Sequence, residues 1–236
     1  MDRTVKALSL ILSYPTRALQ AAMPEIGGVL AADSRLTAAT RRALRLLIEN
    51  LANRDIYDLE EEFVLLFDRS RSLSLNLFEH VHGESRDRGG AMVSLVETYR
   101  AGGFEPVTAE LPDHLPVLLE FLATQPASEV RETLANAAHI FDALSTRLER
   151  RESPYSAVFT ALLQLSGVRA DSEAVAELLE QPEDDPGDLA ALDTVWEESQ
   201  VTFGPDPNAG CPQVHEMLSR MELPINSNSA RHVAAK

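Results

Sequence analysis

Hydrophobic and polar positions follow a helical period along most of the chain. Leu44, Leu47, Ile48 and Leu51 recur at i, i+3, i+4 and i+7, so they share one helix face. Leu59, Phe63, Leu66 and Phe67 repeat the pattern, as do Met92, Leu95, Val96 and Tyr99. Leu115, Leu118, Leu119 and Leu122 form a further stripe, and Tyr155, Val158, Phe159 and Leu162 another. The longest stripe runs Val130, Leu134, Ala137, Phe141, Leu144 and Leu148. No β-branched run alternates in and out over six residues, so strands are not expected.

Breaks between stripes carry recognisable stop and start signals. Pro15 ends the first helix at Tyr14. Asp58 with Glu61 fits a capping box, and Ser85 fits an N-cap with Asp87 in the first turn. Gly102 and Gly103 stop a helix after Ala101. Leu111-Pro112-Asp113 opens the next helix, and Gln125-Pro126 closes it. The reading is an all-α protein: a single globular multi-helix domain of about ten helices over residues 1–203. A Pro-rich tail, 204–236, is expected to be loosely ordered, with one short helix around Val214 to Met221. Such helices are marginal alone and gain stability by burying their apolar faces together. Residues 68–85 break the pattern, being a poor core helix and too long for a tight turn.

Charge narrows the function classes. Over 236 residues, 21 basic and 37 acidic side chains give a net charge of −16. That excludes a general nucleic-acid binder and disfavours stable association with an anionic membrane. The charge is segregated. Residues 1–54 hold eight basic and four acidic side chains, whereas residues 171–206 hold twelve acids and no Lys or Arg. The apolar run Ala7–Leu12 is too short for a membrane span and lacks the flanks of a signal peptide. The lone Cys211 excludes an internal disulfide framework. A cytoplasmic protein without a targeting segment is expected.

Candidate chemistry is sparse. His80 and His82, with Glu79 and Glu84, raise a metal site, but helical positions i and i+2 point about 200° apart. No second ligand pair stands nearby in sequence, so a structural, loop-holding role is preferred and no metal is expected. Cys211 has no activating base beside it. Gly27-Gly28 and Gly89-Gly90 lack the spacing and lysine of a phosphate loop. Asp184-Asp185 lies in a turn, and Glu60-Glu61-Glu62 on the outer face of a helix. Neither is read as a catalytic pair. A non-enzymatic binding role follows, with no cofactor of its own.

Residues 77–92 read Leu-Phe-Glu-His-Val-His-Gly-Glu-Ser-Arg-Asp-Arg-Gly-Gly-Ala-Met. This block resembles the signature of the NarJ-type nitrate reductase assembly chaperones, within the wider group of all-helical molybdoenzyme chaperones. Leu10-Ile-Leu-Ser-Tyr-Pro15, Phe63-Val-Leu-Leu-Phe-Asp68 and Glu110-Leu-Pro-Asp-His-Leu-Pro-Val-Leu-Leu-Glu-Phe-Leu122 resemble the family's flanking segments in order. The resemblance covers roughly residues 5–200. It implies a chaperone that binds the N-terminal segment of the apo catalytic subunit of respiratory nitrate reductase. That subunit would be held competent for molybdenum cofactor insertion before membrane docking.

Recognition of a basic amphipathic client needs an apolar cleft with acids at its rim. The expected site lies around the signature. Glu79, Glu84 and Asp87 would face client cations. Tyr57, Phe63, Phe67, Phe78 and Tyr99 would line the apolar floor, with His80 and His82 in the same segment. Plain core packing is the competing reading of each aromatic. Arg86 and Arg88 are expected to pair internally with Asp87 or Glu84. Two other classes remain open: a metal-dependent enzyme using His80 and His82, and a helical scaffold without client specificity.

Overall fold

Each amphipathic stripe turns its apolar face inward in the computed structural model, which describes residues 1–82 and 87–181. All of these belong to the first of the chain's two units, Met1–Leu189. Eleven α-helices occur among the described residues, with no strand. They are α1 (Arg3–Ile11), α2 (Arg17–Ala32), α3 (Ala38–Asn53), α4 (Ile56–Phe63), α5 (Leu77–His82) and α6 (Asp87–Ala101). Then come α7 (Leu115–Leu122), α8 (Ala127–Asn136), α9 (Ala138–Arg150), α10 (Ser156–Ser166) and α11 (Ser172–Glu180). The expected tail, Cys211, Glu84, Ser85, Arg86 and the acidic run 183–188 lie outside the described residues.

Local chemistry sets the helix starts. The Asp2 carboxylate accepts the Thr4 and Val5 N–H groups at the head of α1, at 3.1 and 3.2 Å. Thr16 and Thr37 cap α2 and α3 in the same way. Helix α6 stops where the sequence placed the stop: Gly103 takes φ +71°, and the Phe104 N–H reaches back to the Tyr99 carbonyl at 2.8 Å.

The helices pack as neighbours in sequence, α2 on α3 and α9 on α10, with long-range pairs of α1 on α7 and α3 on α10. They enclose one contiguous apolar cluster, in which Leu8, Leu12, Leu47, Leu119, Phe141, Leu144, Phe159 and Leu162 are fully buried. Helix α6 is the exception. Tyr99 is its one buried residue, and Met92, Leu95 and Val96 are only half-covered.

Four boundaries differ from the sequence reading. Asp55, not Asp58, caps α4, accepting the Tyr57 N–H at 2.9 Å, so Asp58 sits in the first turn. The first helix ends at Ile11, three residues before Tyr14. Asp113 does not open a helix: it is fully buried, and α7 begins at Leu115 with Pro116 in its first turn. The long stripe from Val130 to Leu148 is two helices, broken at Ala137, whose backbone leaves the helical region at φ −96°, ψ 6°. Residues 68–82, the described part of the segment 68–85, form more regular structure than a loop. A π-helical turn (Val64–Asp68) and a 3-10 turn (Arg71–Leu73) lead into an extended run and then α5.

Candidate peptide-binding site

The extended run before α5 is an internal strap. Leu73, Leu75 and Leu77 are buried at 0, 3 and 5% exposure, and Ser72 and Ser74 are buried with them. Its backbone is met by the segment before α7. Leu75 C=O accepts the Leu115 N–H at 2.8 Å, and the Leu77 N–H donates to the Asp113 carbonyl at 3.2 Å. Asn76 and His114 thus form an isolated antiparallel bridge.

This strap fixes the first half of the signature. The Asp113 carboxylate accepts the Phe78 N–H at 2.9 Å, and its other oxygen is buried without a hydrogen bond. Burial raises the Asp113 pKa, opposed by the Phe78 N–H and Arg88. His80 is buried, and its Nε2 lies 2.8 Å from the Ser74 carbonyl, so that nitrogen carries the donated proton. Burial lowers the His80 pKa and keeps the ring neutral. Glu79 is buried enough to raise its pKa, but bonds from Ser74 and Arg88 outweigh this and hold it below the usual range. Arg88 Nη2 reaches Glu79 Oε1 at 3.1 Å, tying α6 to α5. Of the partners expected for Arg88, Glu84 lies outside the described residues; among those described, Arg88 bridges the two helices through Glu79. Asp87 is exposed at the start of α6, and His82 ends α5.

The aromatics expected as one floor separate into two groups. Phe63 and Phe67 are each 4% exposed and stack with Tyr155, and Tyr14 meets Phe63 edge-on at 5.8 Å. Tyr99 is 1% exposed. It packs between Phe104 and Phe121 and donates its hydroxyl to the Pro112 carbonyl at 2.6 Å. Phe63, Phe67 and Tyr99 are therefore core side chains in this structure. Phe78 is half-buried, and Tyr57 is 70% exposed.

A groove of about 520 Å³ opens between these two groups, walled by α1, α7 and the segment 104–110. Tyr14 and Phe104 line it, each backed by a buried aromatic, Phe63 and Tyr99 respectively. Leu10, Val107, Pro116 and Val117 add apolar surface, and Val107 is wholly exposed. Glu105, Glu110 and Glu120 stand along it, with Lys6 paired to Glu120. His114 reaches in from the segment before α7, with its Nδ1 3.3 Å from the Asn76 side-chain oxygen, and burial lowers its pKa. Beside His114, partial burial and the nearby Glu110 charge raise the pKa of Asp68, against His114. Tyr14, Phe104 and Glu105 were missed as site residues. In sequence the Tyr14-Pro15 pair reads as a helix stop and as part of a family-like segment, neither of which marks a binding surface, and Phe104 follows a glycine stop outside any stripe.

The described residues thus form helices around a groove of mixed apolar and acidic lining, with no cluster of three or more metal-ligating side chains among them. No helix among those residues is long and apolar enough to cross a membrane. The family of nitrate reductase delta subunits matches the chain over residues 33–161, and the chain belongs to that family. The nitrate reductase molybdenum cofactor assembly chaperones NarJ of Escherichia coli K12 and O157:H7 are each 44% identical to it over 205 residues, 86% of both chains. These relatives are named as chaperones rather than enzymes. A redox enzyme maturation protein of known structure from Archaeoglobus fulgidus shares the fold, with a TM-score of 0.52 and 23% identity over 71% of this chain and 94% of its own.

Proposed function

We infer that this protein is an assembly chaperone of nitrate reductase that serves molybdenum cofactor insertion. Its client is the apo catalytic subunit, held by its N-terminal segment until the cofactor is in place and before the membrane is engaged. The observation that carries the finer part is the groove between α1, α7 and residues 104–110. Apolar patches from Leu10, Tyr14, Phe104 and Val117, interleaved with polar side chains and three glutamates, suit a basic amphipathic helix, whose apolar face enters while its cations meet the acids. The net charge of −16 adds long-range attraction for such a segment.

The signature segment contributes through position. α5 and its strap hold His114 against the groove, and Glu79 and Asp87 put acid on a second face, beside Phe78, where α5 meets α6. Phe63, Phe67 and Tyr99 act from behind, by fixing Tyr14 and Phe104.

Calorimetric titration with a synthetic peptide of the first fifteen or so residues of the catalytic subunit tests this reading. Saturable binding that weakens with salt is expected. Glu105→Lys with Glu110→Lys should reduce affinity about tenfold, since each exposed charge contributes modestly. If Asp87→Lys has the larger effect instead, the client lies on the α5–α6 face. Absence of binding to the unsubstituted protein overturns the reading and leaves a scaffold without client specificity.

A further inference from the structure

A second groove, of about 650 Å³, runs between α2 and α3. Its floor is apolar, formed by the buried Leu30, Leu44 and Ile48, with the exposed Pro24, Ala31 and Ala38 above them. The α2 wall is nearly without side chains. A Cβ on Gly28 would meet nothing within 4 Å, so that stretch of backbone faces open space. The α3 side carries Arg41, Arg42 and Arg45, and no acidic residue lines the groove.

The three arginines are differently held. Arg41 is pinned: its Nη1 donates to the Asp33 carbonyl at 3.0 Å and to the Leu36 carbonyl, so its cation is fixed in place. Arg42 is exposed, and no ion pair holds it among the described residues. Arg45 has one acidic neighbour, Glu49, at 3.7 Å with both side chains largely exposed, an arrangement worth little in water. Arg41 and Arg45 are one helical turn apart and so form a short row along the rim.

This polarity is the reverse of the glutamate-edged groove, although the molecule as a whole is strongly acidic. A basic segment drawn to Glu105, Glu110 and Glu120 is repelled here. We propose that the α2–α3 groove docks an acidic amphipathic helix of a partner protein, a segment distinct from the basic one bound at the first groove. The α3 stretch from Ala38 to Ile48 is about 16 Å long, which accommodates three turns of such a helix. Its apolar side chains at i, i+3/i+4 and i+7 would lie on the exposed Pro24, Ala31 and Ala38. Acids one turn apart on its flank would meet Arg41 and Arg45, with Arg42 beside them.

The test uses the full chain and a labelled 14-residue peptide with leucines at i, i+3, i+4, i+7 and i+11 and glutamates elsewhere. Fluorescence anisotropy should report binding that weakens with salt, and the same peptide with lysines for glutamates should not bind at this groove. Arg42→Glu with Arg45→Glu should lower the acidic peptide's affinity about tenfold or more. Gly28→Leu tests the groove independently of charge. It replaces a poor helix former with a good one, so it should fold, and its side chain should fill the space and block the peptide. Both variants should melt as the parent does and keep unchanged affinity for the basic client peptide. The inference is overturned if the acidic peptide does not bind, or if its affinity survives both variants. It is equally overturned if phosphatidylglycerol vesicles, and not the peptide, are what these arginines retain.

Discussion

The Asp113 carboxylate caps helix α5 across 35 residues of sequence, accepting the Phe78 N–H at 2.9 Å from a fully buried position. The first turn of α5 is thus held by a residue belonging to the approach to α7. Asp113→Ala should therefore destabilise the protein by about 1–2 kcal/mol in urea unfolding. Asp113→Asn keeps an acceptor for Phe78 without a buried charge, and should stay within about 1 kcal/mol of the parent. If the two variants melt alike, the cap is not what Asp113 provides.

Arg147 is a buried cation at 1% exposure that spans three parts of the chain. From α9, its Nη1 donates to the Ser72 carbonyl at 2.7 Å and its Nη2 to the Leu178 carbonyl at the end of α11. Arg147→Met removes both donors and leaves two buried carbonyls without them. A loss of roughly 3 kcal/mol is expected by denaturant titration. Arg147→Lys should recover less than half, because one ammonium does not reproduce the two-pronged geometry.

Much of the scaffold was legible, because amphipathic stripes report which face of a helix is covered. The break at Ala137 was not, since Ala is the best helix former and neither Gly nor Pro stands there. Packing of α8 and α9, not local propensity, turns the chain at that point. Asp113 read as a helix start because its partner, Phe78, is far away in sequence. Among site residues, periodicity placed Phe63, Phe67 and Tyr99 on apolar faces, but periodicity does not distinguish a face that lines a groove from one that fills the core. Their exposed neighbours, Tyr14 and Phe104, lie at element ends, where no stripe marks them.

Stability should fall on mild acidification. Burial holds the His80 pKa below its ordinary 6.5, and the same is true of His114. Below about pH 6.5 the unfolded chain takes up protons that the folded chain does not, so the folded state loses ground as pH falls from there toward the folded pKa values. Above pH 6.5 the contribution is complete. His80→Gln keeps a donor for the Ser74 carbonyl and should flatten the difference in urea midpoint between pH 7.5 and 5.5. An unchanged difference would assign the effect elsewhere.

A second acid-sensitive element titrates lower. Arg35 bonds both Asp2 and Asp33, and these bonds hold both carboxyls below their ordinary 3.8. Their stabilisation is fully present above about pH 4 and is lost as pH falls through the lowered values. Arg35→Ala should consequently reduce the melting temperature at pH 7 and make progressively less difference as the pH is taken below 4. Calorimetric scans across that range check the sign.

Gly102 is a packing constraint. A Cβ there would lie 2.5 Å from Phe121 Cε2 and 3.0 Å from Cζ, in the cluster that supports Phe104 and Tyr99. Gly102→Ala should cost about 1–3 kcal/mol through overpacking. It should also weaken client binding, because the ring that backs the groove wall must move. Retained stability together with retained peptide affinity would contradict both parts.

The Arg147 clasp also has a consequence in time. The strap around Ser72 receives its donor from a residue 75 positions later in the chain. At translation rates of about 5–20 residues per second, that donor follows by roughly 4–15 s. A nascent chain therefore carries the strap and the signature helix through this interval without their anchor. The strap therefore gains this anchor late in synthesis, only once α9 has emerged.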